Sequence, residues 1–360
     1  MRLKALPLAA CIALLPPAAG CDGGGRTALT PPEDRPPRRM LEIEWAVDFE
    51  VGGTLEDSTF AYPGGIASTE TRIYATDLYA YRLVAFDRTG TRLWSFGERG
   101  AGPGEFANPY EVHVDAGGTV SVFDPDNARI TRVARTGELL GSTPLTELAS
   151  MPGGFVPAST DTYLLAMPGA DRPFWIIDAE GGVMQRIAHP RADYARLDRL
   201  TRQLSLGHDR RSETWAAAFG INDGFSVFRG DTSIVDNAWY AEPVPPTPVS
   251  ESVVRDDDRT VRTTQLDGPP TIGAISVAVA DSSIYVLFGG RTEDRARLID
   301  VFDVRTGEYR HTMRLQRPAT AMTVYGDTFA FLTTRPAPMM WQARPVIRAS
   351  DVDASGGDAP

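Results

Sequence analysis

Short runs in which apolar and polar residues alternate, each closed by Gly, Asn, Asp or Pro, recur along most of this chain. Residues 110–140 show the pattern most plainly. Tyr110-Glu-Val-His-Val114 is one run, turned by Asp115-Ala-Gly-Gly118, and Thr119-Val-Ser-Val-Phe123 is the next, turned by Asp124-Pro-Asp-Asn127. A third run covers Ala128 to Ala134, Arg135-Thr-Gly137 turns it, and a fourth begins at Glu138. A period of two puts successive side chains on opposite faces of a strand, and the residues between the runs are hairpin formers. The pattern predicts four antiparallel strands in one small sheet.

The same order occurs just upstream. Phe60 corresponds to Phe106 and Pro63 to Pro109 at an offset of 46, while Asp77 and Asp124, Arg82 and Arg129, and Gly90 and Gly137 are offset by 47. A unit of about 47 residues is the length of a propeller blade. One such sheet cannot bury both faces alone, so the units are expected to pack around an axis.

Further blades are expected downstream. Blade 3 falls near 152–190, with Thr162–Met167 and Phe174–Asp178 as its inner strands. Blade 4 covers about 205–243, with strands at Thr214–Phe219, Phe225–Phe228 and Ser233–Trp239. Blade 5 holds Ile275–Ala280, Ser283–Phe288, Arg297–Asp303 and Tyr309–Leu315; blade 6 holds Ala321–Tyr325, Thr328–Thr333 and a last strand over Pro345–Ser350. Apolar residues at 194, 197, 200 and 204 suit a short amphipathic helix inserted between blades 3 and 4. The polar, Pro-rich stretch 243–271 reads as a long loop.

Residues 42–51, EIEWAVDFEV, alternate as a strand should but have no partner before blade 1. They are expected to supply the outer strand that blade 6 lacks and so to close the ring without an open edge. The predicted fold is all-β: a six-bladed β-propeller of four-stranded antiparallel blades over residues 42–351, followed by an Asp/Gly-rich tail at 352–360. Chain length divided by repeat length gives seven blades as the alternative.

The order F-x-x-P, then D-x-x-N/Y-x-R-I/L, a Gly turn, and Gly-Ala-Gly-Pro-Gly-Glu-Phe before the next unit resembles the NHL-repeat family of β-propellers. It is similar in particular to the bacterial six-bladed β-propeller lipoproteins, over residues 60–141. The resemblance implies that Asp77, Arg82, Asp124 and Arg129 occupy the family's Asp/Arg positions, where they are expected to fix turns and brace neighbouring strands.

Residues 1–21 read as a targeting segment: Arg2 and Lys4, an apolar core from Ala5 to Ala19, then Ala18-Ala19-Gly20-Cys21. The last four residues resemble a bacterial lipobox, with Ala18 where Leu is more usual, and Cys21 is the expected lipidation site. A secretory signal without lipid is the alternative. Cys11 lies inside the signal, which leaves Cys21 as the other of two cysteines and no disulfide, Cys-based metal site or thiol nucleophile in the mature chain. Asp22 resembles an inner-membrane retention signal of enteric bacteria. Residues 22–41, rich in Gly, Pro and charge, are expected to form a flexible tether.

Propellers bind ligands at the mouth of the central channel. Alternation places Glu111 and His113 on one strand face and Tyr110 and Val112 on the other. Tyr110, Glu111 and His113 are therefore the candidate ligand-binding residues, and Glu111 with His113 has the chemistry for metal ligation or acid–base work. Propeller lactonases and gluconolactonases use Glu, Asn and Asp around an axial calcium; Glu111 is the nearest analogue, without a companion Asn/Asp set at matching blade positions. His189, His208 and His311 read as scattered, and no Ser/His/Asp order, HExxH or P-loop is present. Asp256-Asp257-Asp258 lacks the Gly and distal acid of a calcium loop and reads as a solvated charge run. The Gly-rich run 98–105 reads as a crossover between blades, and Trp94 as inter-blade packing.

A net charge of −11 and an exported chain exclude nucleic acid as a partner. The expectation is a membrane-tethered, extracytoplasmic, monomeric binding or scaffolding module for a protein, peptide or glycan, with no catalytic residue, cofactor or metal assigned. The alternative is a divalent-cation-dependent lactonase or hydrolase, with calcium at the channel mouth. An exposed aromatic patch without convergent carboxylates separates the first from the second.

Overall fold

The computed structural model describes residues 32, 35–148, 150–256 and 259–347, with backbone alone over 253–256 and 259–263. Six four-stranded antiparallel sheets stand around one axis. A first strand, β1 (Ile43–Gly52), precedes blade 1, which is β2 (Pro63–Ser68), β3 (Arg72–Asp77), β4 (Arg82–Asp87) and β5 (Arg92–Phe96). Blade 2 is β6 (Glu111–Val114), β7 (Val120–Asp124), β8 (Arg129–Val133) and β9 (Leu139–Pro144). Blade 3 is β10 (Gly154–Ser159), β11 (Thr162–Ala166), β12 (Phe174–Ile177) and β13 (Val183–Ile187). Blade 4 is β14 (Leu204–His208), β15 (Thr214–Phe219), β16 (Phe225–Arg229) and β17 (Thr232–Ala238). A separate hairpin, β18 (Val249–Asp256) and β19 (Arg259–Leu266), follows. Blade 5 is β20 (Ile272–Ala280), β21 (Ser283–Gly290), β22 (Leu298–Asp303) and β23 (Tyr309–Arg314); blade 6 is β24 (Ala321–Tyr325), β25 (Thr328–Thr333) and β26 (Met339–Ile347).

Blade 6 takes its fourth strand from the other end of the chain. β1 pairs antiparallel with β26 from Ile43 opposite Ile347 to Gly52 opposite Met339. Trp45 then lies edge-on to Phe329, Phe331 and Trp341, with ring centroids 5.4–6.5 Å apart. The closure gives blade 6 four strands like its neighbours, with β1 as its outer edge, and joins the two ends of the ring in one sheet.

The core lies between blades. Tyr74, Leu83 and Ala85 of blade 1 pack on Val112, Val120 and Val122 of blade 2, with Phe106 of the crossover beneath. Burying a large side chain of this kind is worth about 1.5–3 kcal/mol, so the sheets that cannot cover themselves stabilise one another.

The repeated polar residues hold the crossovers. The Asp77 carboxylate accepts from the backbone N–H groups of Ala61 (2.9 Å) and Tyr62 (2.8 Å). Asp124 accepts in the same way from Ala107 (3.0 Å) and Asn108 (2.9 Å). Arg82 donates to the Thr59 carbonyl, and Arg129 to those of Ala101, Gly102 and Glu105. Each pair thus ties the end of one strand to the loop that leads into the blade's innermost strand. Trp94 donates to the Arg135 carbonyl at 3.1 Å, joining blade 1 to the last turn of blade 2.

Several elements differ from the sequence-based expectation. Residues 35–41 were expected in the flexible tether but are strapped onto the ring. Arg35 pairs with Asp223 and donates to the Tyr240 carbonyl, Arg38 pairs with Asp300 and Glu242, and on the backbone the Leu41 N–H donates to the Thr312 carbonyl while the Thr312 N–H donates to the Arg39 carbonyl. Two arginines of this polar segment, Arg35 and Arg38, are taken up by the buried acids Asp223 and Asp300. The stretch 243–271 contains the β18–β19 hairpin instead of an irregular loop. Residues 191–204 form two short 3-10 turns, Tyr194–Arg196 and Arg199–Thr201, not an α-helix. The innermost strands of blades 3 and 4 are β10 and β14, upstream of those expected. The last strand of blade 6 starts at Met339, six residues before the expected Pro345, because it must span the whole of β1. Cys21, Asp257, Asp258 and the 352–360 tail lie outside the described residues.

Candidate functional site: the mouth and waist of the channel

The six innermost strands β2, β6, β10, β14, β20 and β24 run the same way along the axis. The face where they begin is here the front. Gly64 and Gly65 of β2 let the backbone of β6 come close: a Cβ at Gly65 would stand 2.9 Å from the Val112 nitrogen and 3.1 Å from the Tyr110 carbonyl oxygen. At the repeat offset of 46, Gly65 is also the position that corresponds to Glu111. Blade 1 is bare where blade 2 carries a carboxylate.

A cavity of about 140 Å³ opens on the front of the channel, with Tyr110, Glu111, His113, Ser205, Ser276 and Thr320 among its lining residues. Tyr110 stands at the rim and is 49% exposed. Glu111 points inward, and its Oε2 accepts from the Phe155 backbone N–H of β10 at 3.1 Å. Gly154 makes room for it, since a Cβ there would come within 3.2 Å of Oε1. No β10 residue lines either channel cavity. The side chains of blades 2 and 4 therefore meet in front of blade 3, where the His113 and His208 rings lie 5.2 Å apart. His113 also stands edge-on to Phe155 at 4.9 Å.

Burial moves each of these groups toward its neutral form. Burial raises the Glu111 carboxyl to about 7, against the opposing hydrogen bond from Phe155. Burial, reinforced by His208, holds His113 well below the usual imidazole range. Burial brings His208 down to about 4. Both imidazoles are thus neutral near neutral pH. The 4.0 Å between His113 Nε2 and Glu111 Oε2 is a contact between a neutral ring and a carboxyl, not an ion pair. Among the described residues, no group of three or more His, Cys, Asp and Glu side chains is placed to hold a metal ion.

Tyr110, Glu111 and His113 thus lie together at the front. His208, which the sequence presents as one of several scattered histidines, meets His113 at the waist, where both line the back cavity. Its strand, Leu-Ser-Leu-Gly-His, is short and carries Gly207, whose absent Cβ allows an approach to the Val277 carbonyl oxygen. No spacing between positions 113 and 208 signals the meeting, which only the ring geometry creates. Asp77, Arg82, Asp124 and Arg129 are engaged in the crossovers described above.

The two ends of the channel differ. Tyr62 and Tyr79, 40% and 67% exposed, stack at 4.9 Å beside Tyr110, and Leu55 and Met151 are exposed in other front connections. Apart from these, the exposed large apolar side chains belong to outer strands, to the strap residue Met40 and to the end of β26. The back mouth is charged: Asp209, Arg210, Arg211 and Asp281 line it, with Arg211 stacked over Tyr325 at 4.4 Å and 3.6 Å from Asp281.

No family model matches the chain. Solved structures that resemble it include a Bacteroides fragilis protein described as exported (TM-score 0.53, 9% identity, 86% of this chain and 95% of the other). A DUF4221-family protein of Bacteroides vulgatus is similar to the same degree (TM-score 0.50, 9% identity, 86% and 99%). A gluconolactonase of Xanthomonas campestris superposes less well (TM-score 0.47, 13% identity, 89% and 99%). At these identities the likeness is one of fold. Propellers of one architecture serve unrelated activities, so function has to be argued from the site. Among the described residues no helix is long and apolar enough to cross a membrane.

Proposed function

We propose that this chain is a membrane-tethered, extracytoplasmic binding module that presents the front mouth of its propeller to a protein, peptide or glycan. The carrying observation is the exposure of Tyr62, Tyr79 and Tyr110 on the front face, with Tyr110 at the rim of a cavity lined by a single carboxylate, Glu111. Exposed aromatic residues grouped on one face are the usual mark of an interaction site. Rigid strands below the rim fix the rings in place, which lowers the entropy lost on binding. The repeat over 60–141 that resembles NHL propeller lipoproteins, and the lipobox-like Ala18–Cys21, support the location and the lipid anchor at Cys21.

The test is capture of envelope partners by the native chain and by a Tyr79→Ala/Tyr110→Ala double variant of unchanged melting temperature. The proposal expects a discrete partner that the double variant loses. A partner retained by the variant would contradict it. So would a large rise in melting temperature with calcium, since a ligand that binds only the folded state stabilises it by mass action. Labelling with a fatty-acid analogue, abolished by Cys21→Ser, tests the anchor.

A further inference from the structure

The front cavity also indicates what chemical group enters it. Glu111 is the one acid of the mouth, and it is left without a cationic partner. Its Oε2 accepts from the Phe155 N–H, its Oε1 lies beside Gly154, and the residue lines the front cavity. The two nearby imidazoles cannot neutralise it, because burial keeps both uncharged. The 35 arginines of the sequence supply no ion pair to it among the described residues. Lys4, in the targeting segment, is the only lysine of all 360 residues, so neither this ring nor a second copy of it can offer an ammonium group from within the fold. At the rim of the same cavity stands Tyr110, and the stacked Tyr62 and Tyr79 rings are exposed on the same front face, aromatic surfaces suited to cations. Between rim and carboxylate, Ser205, Ser276 and Thr320 add hydroxyl acceptors, and the cavity has room for an unbranched alkyl chain.

We propose that the front mouth takes a primary ammonium on an unbranched alkyl stem, as at the end of a partner's lysine side chain, with the stem passing between the tyrosines and the ammonium meeting Glu111. The inference rests on the reading of this face as a binding surface and narrows it to a lysine-bearing peptide segment. A compact ammonium with three donors suits a narrow channel lined by one carboxylate and several hydroxyls, where the broad guanidinium fork would not be matched. Net charge of −11 adds long-range attraction for a basic partner.

The probe is n-pentylammonium, with n-pentanol as its uncharged counterpart, titrated into the full chain by calorimetry or by NMR of the tyrosine resonances. The expected result is saturable binding of pentylammonium at least tenfold tighter than pentanol. Glu111→Gln should remove at least tenfold of that affinity, Tyr110→Ala should weaken it severalfold, and Arg211→Ala at the back mouth should leave it unchanged. Both front variants are compared by melting temperature first, and Tyr110→Ala keeps the test open if Glu111→Gln fails to fold. Affinity should rise about tenfold from pH 6 to pH 8, as Glu111 with its midpoint near 7 ionises. The titratable groups shown beside it are His113 on its own strand and Tyr110 at the rim; β10 contributes the Phe155 N–H, and His208 on β14 stands against His113. Neither imidazole changes charge over that range. Equal binding of pentanol and pentylammonium, an unchanged Glu111→Gln, or displacement of the probe by millimolar calcium would overturn the inference. Partner capture that still depended on Tyr79 and Tyr110 would show, in that event, that the binding surface stands and only the ammonium is wrong.

Discussion

Single residues carry two kinds of work in this ring. Asp77 and Asp124 are fully buried, and each carboxylate takes two backbone N–H groups from the loop before its blade's innermost strand. Removing a buried acceptor strands its donors, so Asp124→Ala should lower unfolding free energy by about 2–4 kcal/mol, measured by urea denaturation. Glu111 works the other way. Its folded pKa of about 7 exceeds its ordinary value, so the stability it contributes is full below about pH 4.5 and is lost as pH rises through 7. His113, His189 and His208 have lowered values and contribute stability that is lost as pH falls below about 6.5. Glu111→Gln should therefore be more stable than the native chain at pH 8, by up to about 3 kcal/mol, and show little gain at pH 5; a uniform shift at both pH values would contradict the assignment. The Asp/Arg pairs were legible in the sequence because the repeat prints them twice at one spacing. The meeting of His113 with His208 was not, because it depends on β10 standing back from the axis.

At the level of elements, β1 and the strap before it decide how the ring holds shut. β1 was legible as an alternating strand without a neighbour, and the missing strand of blade 6 was legible as its destination. The strap was not, since a run of Pro and Arg has no period, and the acids that bind it lie some 200 residues away or more. Asp300 is fully buried and is answered by Arg38 and Thr312. Arg38→Ala would leave that carboxylate short of its counter-charge and should cost about 3 kcal/mol, visible as a lower urea midpoint. An unchanged midpoint would mean that the strap is not held as described. Strands β10 and β14 escaped the sequence reading because innermost strands are short and carry Gly154, Pro157 and Gly207, which look like turn residues. The β18–β19 hairpin escaped because its alternation is between polar and small apolar residues that belong to no blade.

For the whole molecule, the six blades, their order and the closure follow from the pattern of apolar residues, while the polarity of the channel does not. An aromatic front with one buried carboxylate and a charged back with arginines make the two mouths unlike, and the proposed function assigns recognition to the front. A site-specific photo-crosslink tests that claim most directly. A photoreactive phenylalanine analogue placed at Tyr79, on the front, is compared in cells with one at Leu139, on the outer strand β9, both positions being exposed. The front-face account predicts a discrete crosslinked partner from position 79 and none from position 139. Equal crosslinking from both positions, or a partner from the outer strand alone, would contradict it.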